Sequence, residues 1–139
     1  MKNRNPLFVA GFPYIGFFIG YIGLNFLSVG TEEGESLSAS TVIGLVAAFA
    51  LLLIGGIYVI YWLVDTAKVL RKETDEKIPN SFLIIVPLVS YWWMWRYSQA
   101  VEKYTKGKIT GVVSFILLFL VGSIGMGILQ DTYNKLKKA

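Results

Sequence analysis

The chain has no cysteine and no histidine. Those two absences exclude disulfides, thiolate nucleophiles, imidazole bases, histidine-ligated haem and the usual zinc sites. Only carboxylates, Lys, Tyr, Ser and Thr remain for chemistry. Charge is scarce as well: 16% of the 139 residues carry one, against 55% hydrophobic. That is too little polar surface to cover a soluble globule of this size, and the composition is that of an integral membrane protein. Ionisable residues are missing from the cores of the apolar runs, where a transporter driven by protons or sodium would carry them. No residue set compels a reaction, so no catalytic residue, cofactor or metal is expected.

What is present are four apolar runs. Residues 7–29 would span about 34 Å as a helix and 109–129 about 32 Å, while 42–64 carries no charge at all. The first run exceeds the roughly 7–15-residue core of a signal peptide, and Val29-Gly30-Thr31 is a weak cleavage site, so it reads as an uncleaved anchor. The third run is shorter. Residues 81–95 have Pro87 in the middle and fall short of the roughly 20 residues a crossing needs, whereas counting from Ile78 to Tyr97 restores the length. The expected fold is therefore all-α, a four-helix transmembrane bundle spanning at 7–29, 42–64, 79–97 and 109–129, with short amphipathic helical extensions at the membrane surface.

The polar loop 31–41 holds Glu32, Glu33 and Glu35 and no basic residue, while Lys2 and Arg4 precede the first run. Basic residues favour the cytoplasmic side, which puts this loop outside and the N-terminus inside. Four spans bring the C-terminus back to the cytoplasm of a cell-membrane protein, but leave Arg96, Lys103, Lys106 and Lys108 outside. If 81–95 dips in and returns instead, those four lie inside and the C-terminal lysines outside. The 13 Lys and Arg outnumber the 9 Asp and Glu and fall in short segments between apolar runs. That pattern suits anionic lipid headgroups and not nucleic acid. The three loop glutamates read as solvated charges, not as a cation site.

Small residues recur four apart at Gly16 and Gly20, Gly44 and Ala48, and Ser123 and Gly127, a spacing that lets another backbone approach closely. Whether the neighbour belongs to the same chain or another copy is open from sequence. Aromatic residues gather at Tyr58, Tyr61 and Trp62 and again at Tyr91, Trp92, Trp93 and Trp95. Such residues suit the membrane interface, with an apolar body and a hydrogen-bonding tip, and are candidate partner contacts. Beyond residue 64 the helix should run on, supported at i, i+4 by Arg71 with Asp75, Lys72 with Glu76 and Glu73 with Lys77. Ile78-Pro79 should end it. Residues 96–106 read as a second surface helix, with Glu102 facing Lys106 and Gly107 as its cap. Leu129, Tyr133 and Leu136 make the tail amphipathic.

A shift of 33 residues superposes Tyr58 on Tyr91, Trp62 on Trp95 and Ala67 on Ala100, the pattern of an internal duplication. The motifs Gly-Ile-Tyr-x-x-Tyr-Trp from Gly56 to Trp62, Ile78-Pro79, the second aromatic exit from Tyr91 to Trp95, and Leu-Gln-Asp-x-x-Asn-Lys-Leu from Leu129 to Leu136 carry a resemblance. Over residues 42–136 the chain resembles the small prokaryotic multi-pass membrane proteins called domain of unknown function 4234. The resemblance implies the architecture and brings no activity.

Three functions follow as expectations. The leading one is a non-catalytic subunit or scaffold that packs within a larger membrane assembly, with other membrane subunits or further copies as partners. The second is a small pore or carrier formed by oligomerisation. The third is a lipid-active enzyme using Asp65, Asp131 or interfacial tyrosines.

Overall fold

A computed structural model of the chain describes residues 1–28 and 39–138. Among them the chain forms five α-helices and no strand: α1 Pro6–Ser28, α2 Ala39–Glu73, α3 Val89–Tyr104, α4 Gly111–Leu120 and α5 Ser123–Lys138, with a 3-10 helix at Ser81–Ile85. Most of the acidic loop at 31–41, with Glu32, Glu33 and Glu35, lies outside the described residues; its last three positions already belong to α2. Contacts divide the chain into two units, Phe12–Val59 and Met1–Gly11 with Ile60–Ala139.

Among the described residues two helices are long and apolar enough to cross a membrane, α1 through its Pro6–Gly23 segment and α2. At 35 residues α2 is about 52 Å long, and it runs past the apolar stretch to close on Arg71 and Lys72, whose charge suits the negative end of the helix dipole. It stops at Glu73, short of Ile78-Pro79, so Asp75, Glu76 and Lys77 are not on its last turn and the expected i, i+4 pairs do not form.

The other two expected spans are not continuous helices. Residues 79–97 contain the 3-10 helix, a break at Pro87 and Leu88, and only the first half of α3. Leu88 adopts a positive φ of 66°, and Pro87 has no N–H with which to carry the 3-10 helix on. Residues 109–129 are divided by Gly122, at φ 58°, into α4 and the start of α5. At ten residues α4 is about 15 Å long, half the thickness of a hydrocarbon core.

In the unit Phe12–Val59, α1 and α2 lie antiparallel. A Cβ on Gly16 would fall 2.7 Å from the Leu51 carbonyl oxygen, one on Gly20 would fall 2.9 Å from that of Ala48, and one on Gly55 would fall 3.1 Å from that of Pro13. The glycines therefore set the approach of the two backbones, as small residues do in membrane helix pairs. Phe12 and Tyr58 close one end ring to ring at 4.9 Å. The outward side is apolar, with Phe17, Phe18, Ile43, Phe49 and Ile57 exposed.

In the other unit, α3 and α4 also run antiparallel. Tyr91 meets Phe119 at 5.4 Å and Trp95 meets Phe115 at 5.8 Å between ring centroids, and at the far end Glu102 accepts the Gly111 N–H at 2.7 Å. That carboxylate sits at the positive end of α4, where Thr110 also caps by accepting the Val113 N–H. The turn between them closes on Gly107, at φ 78°, whose N–H returns to the Glu102 carbonyl, the cap expected of it. One end of this hairpin is charged by Lys103, Lys106 and Lys108. The other end exposes Leu88 and Leu120, at 79% and 71%.

Candidate functional site

The residues that carry hydrogen-bonding chemistry converge where α2 leaves its apolar stretch. Trp62 is fully buried, and its indole N–H donates to Gln130 Oε1 of α5 at 2.9 Å. Gln130 in turn donates through Nε2 to the Lys2 carbonyl at 3.1 Å and to Asn134 Oδ1 at 2.9 Å. Asn134 donates to the Arg4 carbonyl at 2.6 Å. One buried amide thus ties the N-terminal segment, α2 and α5 together with its hydrogen bonds satisfied.

One turn along, the Thr66 hydroxyl donates to the Trp62 carbonyl at 2.8 Å. Its single proton is spent there, so Tyr97 of α3 is the donor in the 2.8 Å contact between the two hydroxyls. The Tyr97 ring stacks on Trp93 at 5.3 Å, and Tyr133 of α5 stacks on Trp62 at 6.5 Å and meets Tyr104 edge-on at 5.6 Å.

Ion pairs hold the rim. Arg4 lies 2.5 Å from Asp65 and 5.3 Å from the Tyr61 ring centroid. Glu76 takes Lys103 at 2.7 Å and Arg96 at 3.3 Å. The hydrogen bond from Lys103 is the main reason its carboxyl is held below the ordinary glutamate value. Burial opposes this, and the positive charges of Lys103 and Arg96 add to the lowering. Asp131 pairs with Lys135 at 2.6 Å within α5. Arg71 donates from Nε to the Ile78 carbonyl at 3.0 Å, and from Nη2 to the Pro79 carbonyl and to Ser81 Oγ at 3.1 Å. The Pro79 carbonyl also accepts the Trp93 indole N–H at 3.1 Å. Both ends of residues 79–97 are therefore held at the same end of α2: the segment leaves at Pro79, turns at Leu88 and comes back through Trp93 and Tyr97.

The residues singled out by sequence divide accordingly. Gly16 packs on Leu51 and Gly55, and Gly20 packs on Ala48 and Leu52, all within this chain, while Gly44 is half-buried on the same helix as Ala48. Gly127 packs instead on the first turn of α1, where a Cβ would fall 2.7 Å from that of Ala10 and 2.8 Å from the Pro6 carbonyl oxygen. Ser123 is buried at the start of α5. Among the aromatics, Trp62 and Trp93 are fully buried inside the chain and build the fold, so in this fold they are out of a partner's reach. Tyr61, Tyr91, Trp92 and Trp95 remain on the surface, and Tyr58 is half-buried against Phe12. Of the pairs related by the 33-residue shift, Ala67 and Ala100 are both buried, but Trp62 is inside where Trp95 is exposed.

Sequence reasoning missed Gly125, whose added Cβ would run into the Leu117 carbonyl, and Gln130, the hub of the buried network. A lone glutamine beside an apolar run was the one available signal for Gln130. Asp65 and Asp131, the candidate carboxylates of a lipid-active enzyme, are both paired with basic side chains, and no cluster of three or more metal-binding side chains occurs among the described residues. Set against protein-family models, curated proteins and solved structures, the chain matches none.

Proposed function

We propose that the chain is a non-catalytic membrane protein that acts as a packing subunit or scaffold in a larger membrane assembly. The observation that carries this reading is the division of the second aromatic exit. Trp93 is spent on the fold, while Trp92, Tyr91 and Trp95, at 53%, 45% and 41% exposure, stay on the surface, Tyr91 beside Phe119 and Trp95 beside Phe115. Rigid exposed aromatics bury large areas at low entropic cost when a partner covers them. Conduction has less support, because the buried polar side chains around Trp62 and Thr66 are bonded to one another and do not line a path.

The same reading includes a topology. Glu76 follows α2, Lys103 ends α3, and Asn134 of α5 bonds the N-terminal segment, so these groups share one aqueous side. With α1 and α2 as the crossings, all 13 Lys and Arg lie on that side and the connection carrying Glu32, Glu33 and Glu35 on the other. This is a cleaner positive-inside distribution than four spans give. Both termini are then cytoplasmic. The 3-10 helix with α3, and α4 with α5, become two hairpins whose apolar turns at Leu88 and Gly122 enter one leaflet only.

The functional reading is tested by purifying the chain from its native membrane in mild detergent and identifying what accompanies it. A membrane protein should co-purify with the parent chain and be released by Trp92→Ala with Trp95→Ala, and protein in liposomes should neither conduct ions nor hydrolyse lipid. Single-channel currents, or association indifferent to both tryptophans, would overturn it.

A further inference from the structure

On α2, Ile60, Val64, Lys68 and Arg71 fall at i, i+4, i+8 and i+11, one stripe of the helix that passes from apolar to basic over about 16 Å. Facing it are Asn80 and Ser81 and then Phe82 and Ile85 of the 3-10 helix, and the two sides enclose a cleft of about 330 Å³. That volume lies in the range of small-molecule sites, roughly 300–1,000 Å³. No carboxylate lines it.

The basic end is built in advance. Arg71 is fixed by the Ile78 and Pro79 carbonyls and by Ser81 through Nε and Nη2, so its Nη1 is left without an acceptor among the described residues. Lys68, one turn away, is exposed and forms no ion pair or hydrogen bond there. Two cations and two polar side chains thus stand at one end of a cleft whose remaining walls are Ile60, Val64, Phe82 and Ile85. A larger concavity of about 520 Å³ along Tyr14, Phe17, Phe18 and Tyr21 has no charged group and is simply apolar surface.

The geometry points to this cleft as a binding site for one anionic phospholipid, with the phosphate diester at Lys68 and Arg71 and an acyl chain along Ile60, Val64, Phe82 and Ile85. Basic pockets beside membrane helices on the cytoplasmic side recognise such headgroups, and Arg provides fixed, charge-assisted donors to phosphate oxygens. The inference rests on the reading that α2 crosses a membrane, which brings the apolar walls to acyl-chain depth.

The test is native mass spectrometry of the full chain in detergent micelles holding equal phosphatidylglycerol and phosphatidylcholine. The parent chain should retain one phosphatidylglycerol in preference. Lys68→Gln should lower that retention about fivefold, whereas Lys72→Gln, the same charge change on an exposed neighbour outside the cleft, should leave it. Ile85→Trp, which fills the acyl end without altering charge, should also abolish retention, and excess glycerol phosphate should fail to displace the lipid. Equal retention of both lipids, equal losses in the two lysine variants, unaltered retention in Ile85→Trp, or displacement by glycerol phosphate alone would overturn the site. Failure of the membrane topology would instead appear in cysteine labelling, with lipid retention unchanged.

Discussion

Glu76, three residues beyond the end of α2, accepts Lys103 Nζ at 2.7 Å from the last turn of α3, twenty-seven residues later in the chain. Arg96 approaches the same carboxylate at 3.3 Å. An ion pair of this length cannot bridge a bilayer, so Glu76 and Lys103, which flank residues 79–97, lie on the same side of any membrane the chain enters.

The pair makes a pH prediction. The Glu76 carboxyl is held below its unfolded value, and the unfolded value is about 4.3. Its contribution to stability is complete above that pH and is lost as the pH falls through the lower folded value. Glu76→Gln should therefore lower the unfolding temperature in detergent at neutral pH. The difference from the parent chain should shrink in acid, as read by tryptophan fluorescence; a gap that persists unchanged well below pH 4 would contradict the assignment.

Two glycines should respond in opposite directions to the same substitution. Gly125→Ala pushes a Cβ into the Leu117 carbonyl and should destabilise by about 1–3 kcal/mol. Gly56→Ala meets nothing within 4 Å in the interior of α2 and should stabilise by up to about 1 kcal/mol through helix propensity. Denaturant titrations of the two variants in one detergent measure both.

Gln130→Leu removes the acceptor of the buried Trp62 N–H and the donor to the Lys2 carbonyl. Each buried group left unpaired costs about 1–3 kcal/mol. The variant should lose stability, and proteolysis should cut the freed N-terminal segment sooner than in the parent chain. Equal rates of cleavage would remove Gln130 from its role as the tie between α5 and the N-terminus.

Adjacent tryptophans should separate folding from association. Trp93→Ala empties a fully buried site that also bonds Pro79 and should cost about 3–5 kcal/mol. Trp92→Ala should leave unfolding nearly unchanged and weaken only the co-purified assembly. If both behave alike in unfolding, the inward and outward sorting is mistaken.

Much of this fold is legible in the sequence, and the illegible part has a physical cause. Runs 7–29 and 42–64 gave α1 and α2 because uninterrupted apolar stretches of that length have few alternatives to helix in a membrane. The Gly16 and Gly20 face was readable because spacing alone puts both on one side. Residues 79–97 and 109–129 carry nearly the same hydrophobic content, yet single positions divide them. Pro87 signals its break openly, whereas Gly122 is one of several glycines in its run and nothing local marks it as the one with positive φ. The buried network could not be read at all: Trp62, Thr66, Tyr97, Gln130 and Tyr133 are each ordinary interfacial residues until the fold brings them together. Periodicity reports which face is apolar. It does not tell an aromatic residue that meets lipid from one that meets another helix.

The most direct test of the central claim is the sidedness of four single cysteines in this cysteine-free chain. Asp75→Cys, Lys108→Cys and Lys137→Cys replace exposed residues after α2, between α3 and α4, and near the end of α5, and Ser36→Cys marks the connection between the two crossing helices. With a membrane-impermeant maleimide on intact cells, Ser36→Cys should label, and the other three should label only after the membrane is opened. Labelling of Lys108→Cys from outside while Asp75→Cys stays protected would contradict the two-crossing arrangement and restore a third span between them.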